Sequence, residues 1–209
     1  MTDLALTRPH LTRRRLIQIG ALVPLAGCSL PGSGGPPRTF SLRPQPIIET
    51  SGPSWVLGID TPKALKGLDS ERIAYRAGAF ELQYYADVNW IDLAPEMVQM
   101  VLVRSFQNRT RLAVSGRSVG SAPPDFLLTS LLQDFQADGG KGAQVTLVAT
   151  LSPANRRRVV RTKTFEANAR SADDRIESVV AAFDEAVARI TNDLIAWTLA
   201  TAEEEKREA

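Results

Sequence analysis

The segment Leu25-Ala26-Gly27-Cys28 constrains this chain most, because a lone cysteine follows two small residues at the end of a short apolar run. The run covers residues 16–26, and the basic cluster Arg13-Arg14-Arg15 lies directly before it. It is about half as long as the ~20 residues that a membrane-spanning helix requires. The pattern therefore predicts a removable export signal over residues 1–27, with a lipid-modified thiol at Cys28.

The alternative interpretation is a buried N-terminal helix that ends in a cysteine by chance. Cys28 is the only cysteine, and the Pro/Gly/Ser-rich segment 31–37 follows at once. Such a segment suits an anchor better than a buried helix, and the tether from Ser29 to about Arg38 would span roughly 17–20 Å as a Gly-rich coil. We therefore expect residues 28–38 to be a lipidated cysteine with its flexible tether, carrying the remaining chain into an extracytoplasmic compartment.

Two details of this region bear on export and sorting. Residues 12–18 resemble a twin-arginine export motif but equally suit a general secretory signal, and both routes stay open. Ser29 follows the cysteine, where an aspartate typically retains lipoproteins in the inner membrane. We therefore predict a lipid-anchored protein on the periplasmic face of the outer membrane.

Composition excludes several classes of function for the part after residue 27. The signal holds four of the 25 basic residues and one of the 23 acidic residues, which leaves 21 basic and 22 acidic residues. That near-neutral balance does not support nucleic-acid binding. The one histidine, His10, also lies in the signal. We therefore predict no His- or Cys-based catalytic site, no metal site and no cofactor, although an enzyme that uses carboxylates alone stays possible.

Hydrophobic periodicity predicts a single α+β domain over residues 39–200, followed by a charged tail over residues 201–209 that frays. The clearest strand covers residues 82–90, where Leu82, Tyr84, Ala86, Val88 and Trp90 alternate with polar side chains and form one buried face. Other strands are predicted at residues 54–59, 72–76 and 112–115, and an antiparallel meander at residues 126–137, 144–151 and 159–168. In the last of these, Arg161 and Lys163 are expected on the solvated face.

Two principal helices are predicted to cover the mainly antiparallel sheet. The first begins near Pro95, with Asp92 or Ala94 as its cap, and ends at residues 107–109. The second follows a capping-box-like pair, Ser171 and Asp174. Its apolar seam recurs at four-three spacing and fits either a helix lying across the sheet, which we prefer, or a coiled-coil partner surface. The seam comprises Ile176, Val180, Phe183, Val187, Ile190, Leu194 and Trp197.

Few residues are candidates for chemistry. Asp87 and Asp92 are the carboxylates to inspect for an enzyme, but a polar strand face and a helix cap explain them equally well. Residues 156–158 are three consecutive arginines that fit a phosphate site or, more simply, a solvated hairpin tip. We therefore predict no catalytic residues.

The run from Tyr84 to Val98, in which an aromatic strand ending in Trp90 passes directly into a helix begun by Pro95, resembles the ABC-type transport auxiliary lipoproteins. Residues 72–76, the lipid-modification segment, the meander and the long C-terminal helix fit the same family. The resemblance implies a non-enzymatic, lipid-anchored accessory component. Its system would comprise an MCE-domain substrate-binding protein and, indirectly, a permease and an ATPase, moving phospholipid or other hydrophobic molecules between the two membranes. A homo-oligomer is possible, and the alternative is an outer-membrane assembly or envelope-scaffold lipoprotein.

Overall fold

The computed structural model describes residues 35–48, 52–115, 123–139, 142–155, 159 and 161–208. Residues from Pro36 onward form one compact unit. Its strands are β1 (Arg38–Phe40), β2 (Val56–Ile59), β3 (Lys63–Ala64), β4 (Arg72–Arg76), β5 (Leu82–Trp90), β6 (Ala113–Ser115), β7 (Phe126–Asp138), β8 (Gly142–Pro153) and β9 (Arg161–Arg170). Its helices are α1 (Ala94–Thr110) and α2 (Ile176–Glu208). Neither of these two helices has the length and apolar character needed to cross a membrane.

The sheet is organised around β7, which is 13 residues long. One edge of β7 pairs antiparallel with β8, and β8 pairs antiparallel with β9. The other edge of β7 is shared by β2, β3 and β4, which follow one another along it in parallel. Strand β6 extends the sheet from β2, while β5 and then β1 extend it from β4. The predicted α+β fold, with a mostly antiparallel sheet and two helices, is confirmed.

Within the meander, the strand positions are predicted well but one face is assigned wrongly. Arg161 and Lys163 are exposed, yet they share the helix-side face of β9 with the buried Phe165. They sit beyond the buried part of that face, where Arg161 reaches Glu204 of α2 at 3.1 Å. The solvated face of β9 instead carries the even-numbered residues from 162 to 170.

Helix α1 begins and packs largely as its pattern predicts. Its apolar residues at helical spacing form a buried stripe, with Met97 at 0% exposure: Met97, Val98, Val101, Leu102 and Phe106. The cap is different, because the N-cap residue is Leu93 and no side chain caps the helix. Asp92 instead accepts a hydrogen bond from the Leu93 N–H at 2.8 Å. Pro95 occupies the first turn, where a missing N–H costs no helical hydrogen bond.

Helix α2 lies along β8 and β9, so the preferred interpretation of its seam is confirmed. The helix begins at Ile176, and the predicted Ser171/Asp174 cap is wrong: Asp173 accepts from the Arg175 N–H just before the first turn. The expectation that the charged tail frays is also wrong, since the helix continues to Glu208. Thr201, Ala202 and Glu205 are buried there.

The segment over residues 41–48 crosses both helices and holds them together. Arg43 donates to Asp184 of α2 from its backbone N–H and its guanidinium, at 2.6–2.9 Å. Two residues later, the Gln45 N–H donates to the Ser105 hydroxyl of α1 at 2.9 Å. Leu42, directly before the first attachment, is buried at 3% exposure. The segment that follows the predicted tether is therefore an integral part of the domain.

Candidate functional site

The junction between β5 and α1 contains the run from Tyr84 to Val98. Only three residues separate the strand from the helix, and backbone hydrogen bonds fix them. The N–H groups of Trp90 and Ala94 donate to carbonyls of Glu71 and Ser70, at 2.6 and 3.1 Å, and the Ile91 N–H donates to Phe40 at 2.8 Å. The junction is therefore attached to β1 and to the chain entering β4.

Trp90 connects the junction to the core. Its side chain is 2% exposed and its ring centroid lies 5.5 Å from that of Phe135 on β7 and 5.2 Å from that of Phe183 on α2. Phe135 and Phe183 are themselves 4.9 Å apart. These three rings join β5, β7 and α2 in one cluster. The recognisable aromatic residue of the motif is thus a packing residue.

In the first half of β5, polar and ring contacts fix the two tyrosines, Tyr84 and Tyr85. The Arg72 guanidinium lies 4.0 Å from the Tyr84 ring centroid, and the Tyr84 hydroxyl donates to the Gly67 carbonyl at 3.0 Å. Tyr75 and Tyr85 stack at 4.8 Å. Burial, and then the neighbouring Tyr75 and Asp174, raises the pKa of Tyr85, so its phenol stays protonated at neutral pH. These contacts are structural and provide no activated nucleophile.

The predicted buried face of β5 is correct at one end only. Val88 and Trp90 are buried, Tyr84 is half-buried, and Leu82 and Ala86 are exposed. The cause is an irregular register between β4 and β5 near Arg72 and Ala74. Asp87 lies in this irregular stretch with a φ of +56°, a conformation that aspartate tolerates better than most residues.

The candidate residues for chemistry do not form a catalytic centre. Asp87 and Asp92 are both exposed, one on a distorted strand and the other beside the start of α1. Within the described ranges, no group of three or more His, Cys, Asp or Glu side chains comes together to hold a metal. Cys28, His10 and the arginines of residues 156–158 lie outside the described residues.

Among several surface depressions of the described residues, two lie toward opposite ends of β7. A cleft of about 150 Å³ lies beside the C-terminal end of α2, where Trp55, Phe126 and Glu205 are among its lining residues. A wider groove of about 330 Å³ lies beside the β4–β5 turn, where Leu65, Phe80 and Leu82 are the exposed apolar side chains. The sequence interpretation missed this second surface, although a phenylalanine after Ala77-Gly78-Ala79 was a visible signal for it.

Comparison with known proteins places this architecture. The family model for the ABC-type transport auxiliary lipoprotein component matches residues 40–195. The chain belongs to this family. The family is a transport auxiliary component and not a known enzyme family, and its lipoprotein character is that of membrane-anchored envelope proteins. The matched residues begin in β1 and end within α2, so they contain the junction and both helices.

One curated relative and two solved structures are similar to this transport auxiliary lipoprotein. An uncharacterised protein of Bradyrhizobium diazoefficiens is 32% identical over 186 residues, covering 84% of this chain. The chain spans about half, 49%, of that relative's length. A crystal structure of a Xanthomonas campestris protein matches with a TM-score of 0.71 and 29% identity, over 81% of this chain and 98% of that one. Another crystal structure of an uncharacterised protein has a TM-score of 0.62 at 11% identity, covering 78% and 98% of the two chains, which shows a shared fold alone.

Proposed function

We propose that this protein is the lipid-anchored periplasmic accessory component of an MCE-type ABC transport system. In this role it assists the movement of phospholipid or other hydrophobic molecules between the inner and outer membranes. The observation that carries the proposal is the order of parts along the chain: a lipid-modification segment at Cys28, a short tether, and then a domain of the ABC-type transport auxiliary lipoprotein family. Its direct partner is the MCE-domain protein, which links it to the permease and the ATPase.

The geometry of the described domain supports a binding role rather than catalysis. The chain after residue 27 contains no histidine and only the cysteine proposed to be acylated. The two carboxylates singled out by sequence are exposed and separately explained. What remains are a sheet, two packed helices and surface depressions that include one toward each end of β7. We therefore propose that the protein is not an enzyme and acts by position and by contact with partners.

The anchor is tested with Cys28→Ala. Diacylglycerol on the thiol provides two chains, and each buried methylene contributes about 0.8 kcal/mol, so the modified protein should stay at a membrane permanently. The variant should accumulate as unprocessed precursor and incorporate no labelled palmitate. Palmitate incorporation equal to that of the wild type would show that Cys28 is not the modified residue.

The partner is tested by mild crosslinking in intact envelopes, followed by purification of the tagged full chain. We expect the MCE-domain protein to be recovered with the wild type and lost with Cys28→Ala, which shares every surface of the folded domain but is not anchored. Recovery of only outer-membrane assembly or peptidoglycan-synthesis proteins would refute the transport role and favour the envelope-scaffold alternative. Deletion of the gene should cause the same detergent sensitivity as deletion of the permease.

A further inference from the structure

The turn between β4 and β5 exposes apolar side chains on a well-defined hairpin. Phe80 is fully exposed, with a relative exposure of 103%, and Leu65 is 67% exposed. Leu82 is 37% exposed and lies beside Gly67, so it adjoins the same segment as Leu65. We call Leu65, Phe80 and Leu82 the apolar tip. Leu65 follows β3, Phe80 is in the β4–β5 turn and Leu82 begins β5, and all three line one groove. Exposed apolar side chains of this size on one surface are a feature of surfaces that contact a partner or a membrane.

The turn itself is held in place. The Ala77 N–H donates to the Glu81 carbonyl at 3.0 Å, which closes the hairpin below Phe80. The flanking residues Ala77, Gly78 and Ala79 are small, so no bulky neighbour shields the phenyl ring. The ring therefore points outward from a closed turn, and it is not covered by the domain's own core.

The direction of β1 relates this tip to the predicted anchor. Strand β1 is parallel to β5, and Arg38 lies opposite Val88. The chain that precedes Arg38 therefore leaves β1 in the direction of the β4–β5 turn. Strand β5 runs from Val88 back to Leu82, a step of six residues or about 20 Å, before the turn begins. The ten-residue step from Cys28 to Arg38 reaches at most about 33 Å.

We propose that the apolar tip is a second membrane contact, inserted in the interfacial region of the same phospholipid leaflet that holds the acyl chains on Cys28. This inference rests on the lipid anchor of the proposed function. The maximum reach of the ten-residue tether exceeds the length of β5 from Val88 to the turn, so one leaflet can hold the anchor and also meet Phe80. Insertion is driven by apolar contact and not by charge, since the charges beside the tip balance, with Lys66 and Arg76 against Glu81 and Asp134.

This contact fixes which end of the domain faces the membrane. The C-terminal end of β7 lies beside β4, whose last residue Arg76 is level with Asp138. The cleft lined by Trp55 and Glu205 lies at the start of β7, the opposite end. With the tip in the leaflet, that cleft faces away from the membrane, where a periplasmic partner can reach it.

The test uses the full acylated chain reconstituted in phosphatidylcholine vesicles with brominated acyl chains, which quench nearby tryptophan. Two variants are compared after subtraction of the wild-type signal: Phe80→Trp at the tip and Ile91→Trp as the matched control. Ile91 is also an exposed apolar residue, at 59%, but it follows the last residue of β5 and so lies at the other end of that strand. Both positions are exposed, so neither change disturbs the core.

We expect the added tryptophan of Phe80→Trp to shift to shorter wavelength and to lose emission in brominated vesicles, while that of Ile91→Trp does neither. Co-flotation of the wild type with vesicles tests the anchor separately. If the wild type does not float, the proposed anchor fails and the inference fails with it. If it floats but Phe80→Trp is not quenched, the inference alone is overturned and the tip is assigned to a protein partner. Equal quenching at both positions also overturns it, because the tip would then have no preferred contact.

Discussion

Replacing Phe183 by alanine tests the core arrangement on which the domain depends. The side chain is 0% exposed and its ring contacts those of Trp90 and Phe135. Truncation of a buried phenylalanine costs about 3–5 kcal/mol. Two aromatic contacts are lost as well, so we expect the upper part of that range, about 4–5 kcal/mol. For a domain of this size, such a loss lowers the melting temperature by about 8–20 °C.

The matched control is Phe80→Ala, which makes the same chemical change at a fully exposed site. We expect that control to change the free energy of unfolding by less than about 0.5 kcal/mol, as surface substitutions usually do. The difference between the two variants therefore measures the burial of Phe183 alone. Phe183→Leu is a milder second variant, expected to lose about 1–3 kcal/mol through its two ring contacts.

The assay is urea unfolding of residues 36–209, followed by circular dichroism and repeated as a thermal melt. Equal urea midpoints for Phe183→Ala and Phe80→Ala would refute the reasoning. That result would mean that the seam of α2 does not stabilise the sheet, and it would revive the interpretation of the seam as a coiled-coil partner surface. A lower midpoint for Phe183→Ala with an unchanged slope is the expected outcome.

Three further predictions concern other parts of the chain. Thr191 lies on α2 at 0% exposure, and its hydroxyl finds no hydrogen-bond partner among the described residues. We therefore expect Thr191→Val to raise the free energy of unfolding by about 1 kcal/mol in urea titrations. A loss of stability would show that the hydroxyl has a hydrogen-bond partner. The Arg38 guanidinium, and then the backbone N–H of Glu177 itself, lowers the pKa of Glu177 from 4.5. The carboxylate therefore contributes stability above that pH, and this stability is lost as the pH falls through the folded-state pKa. In acid titrations, the stability of Glu177→Gln should decline less steeply than that of the wild type, and an unchanged profile would contradict the assignment. Ser29→Asp should move the protein toward the inner membrane in density-gradient fractionation, and an inner-membrane position of the wild type would remove the basis for that expectation.

The elements with strong local periodicity were predictable. The meander places its three strands within a few residues of their predicted positions, and the stripe of α1 is buried as its helical spacing indicates. The seam of α2 predicted a helix on the sheet, and Phe183 and Leu194 on that seam are 0% exposed. In these elements the residues that decide the structure are close together in the sequence, so a pattern in a short window is sufficient.

Other features depend on distant partners and were not predictable from local pattern. Strands β2, β3 and β4 follow one edge of β7 in parallel, although more than 60 residues separate each pair in sequence. A register shift in β7 between Leu132 and Asp134 places Leu132 and Phe135 on the same buried side, which simple alternation forbids. Periodicity specifies a face of a strand but not its neighbour or its bulges.

Local composition wrongly predicts a frayed end for α2, because tertiary contacts hold its last turns. Residues 203–208 are all charged, which favours fraying in an isolated helix. In the domain, Trp55 is 3% exposed and its indole N–H donates to Glu203 at 3.2 Å. Arg161 pairs with Glu204 on the neighbouring surface. These contacts with Trp55, nearly 150 positions away, and with Arg161 of β9, about 40 positions away, hold the last turns in place.

The residues from Tyr84 to Val98, which make the family recognisable, therefore have structural roles. The surfaces proposed to bind partners lie elsewhere on the domain. Trp90 packs in the core and Pro95 lies in the first turn of α1, and neither side chain is a reactive group. Helix α2, at 33 residues, is about 50 Å long, and its packing along β8 and β9 makes the unit a stiff body. The surfaces left for partners lie at the two ends of β7: the apolar tip at one and the cleft beside Trp55 at the other. With the leaflet contact and the periplasmic location proposed above, a domain of this shape suits a component that holds a transport partner at a fixed distance from the membrane.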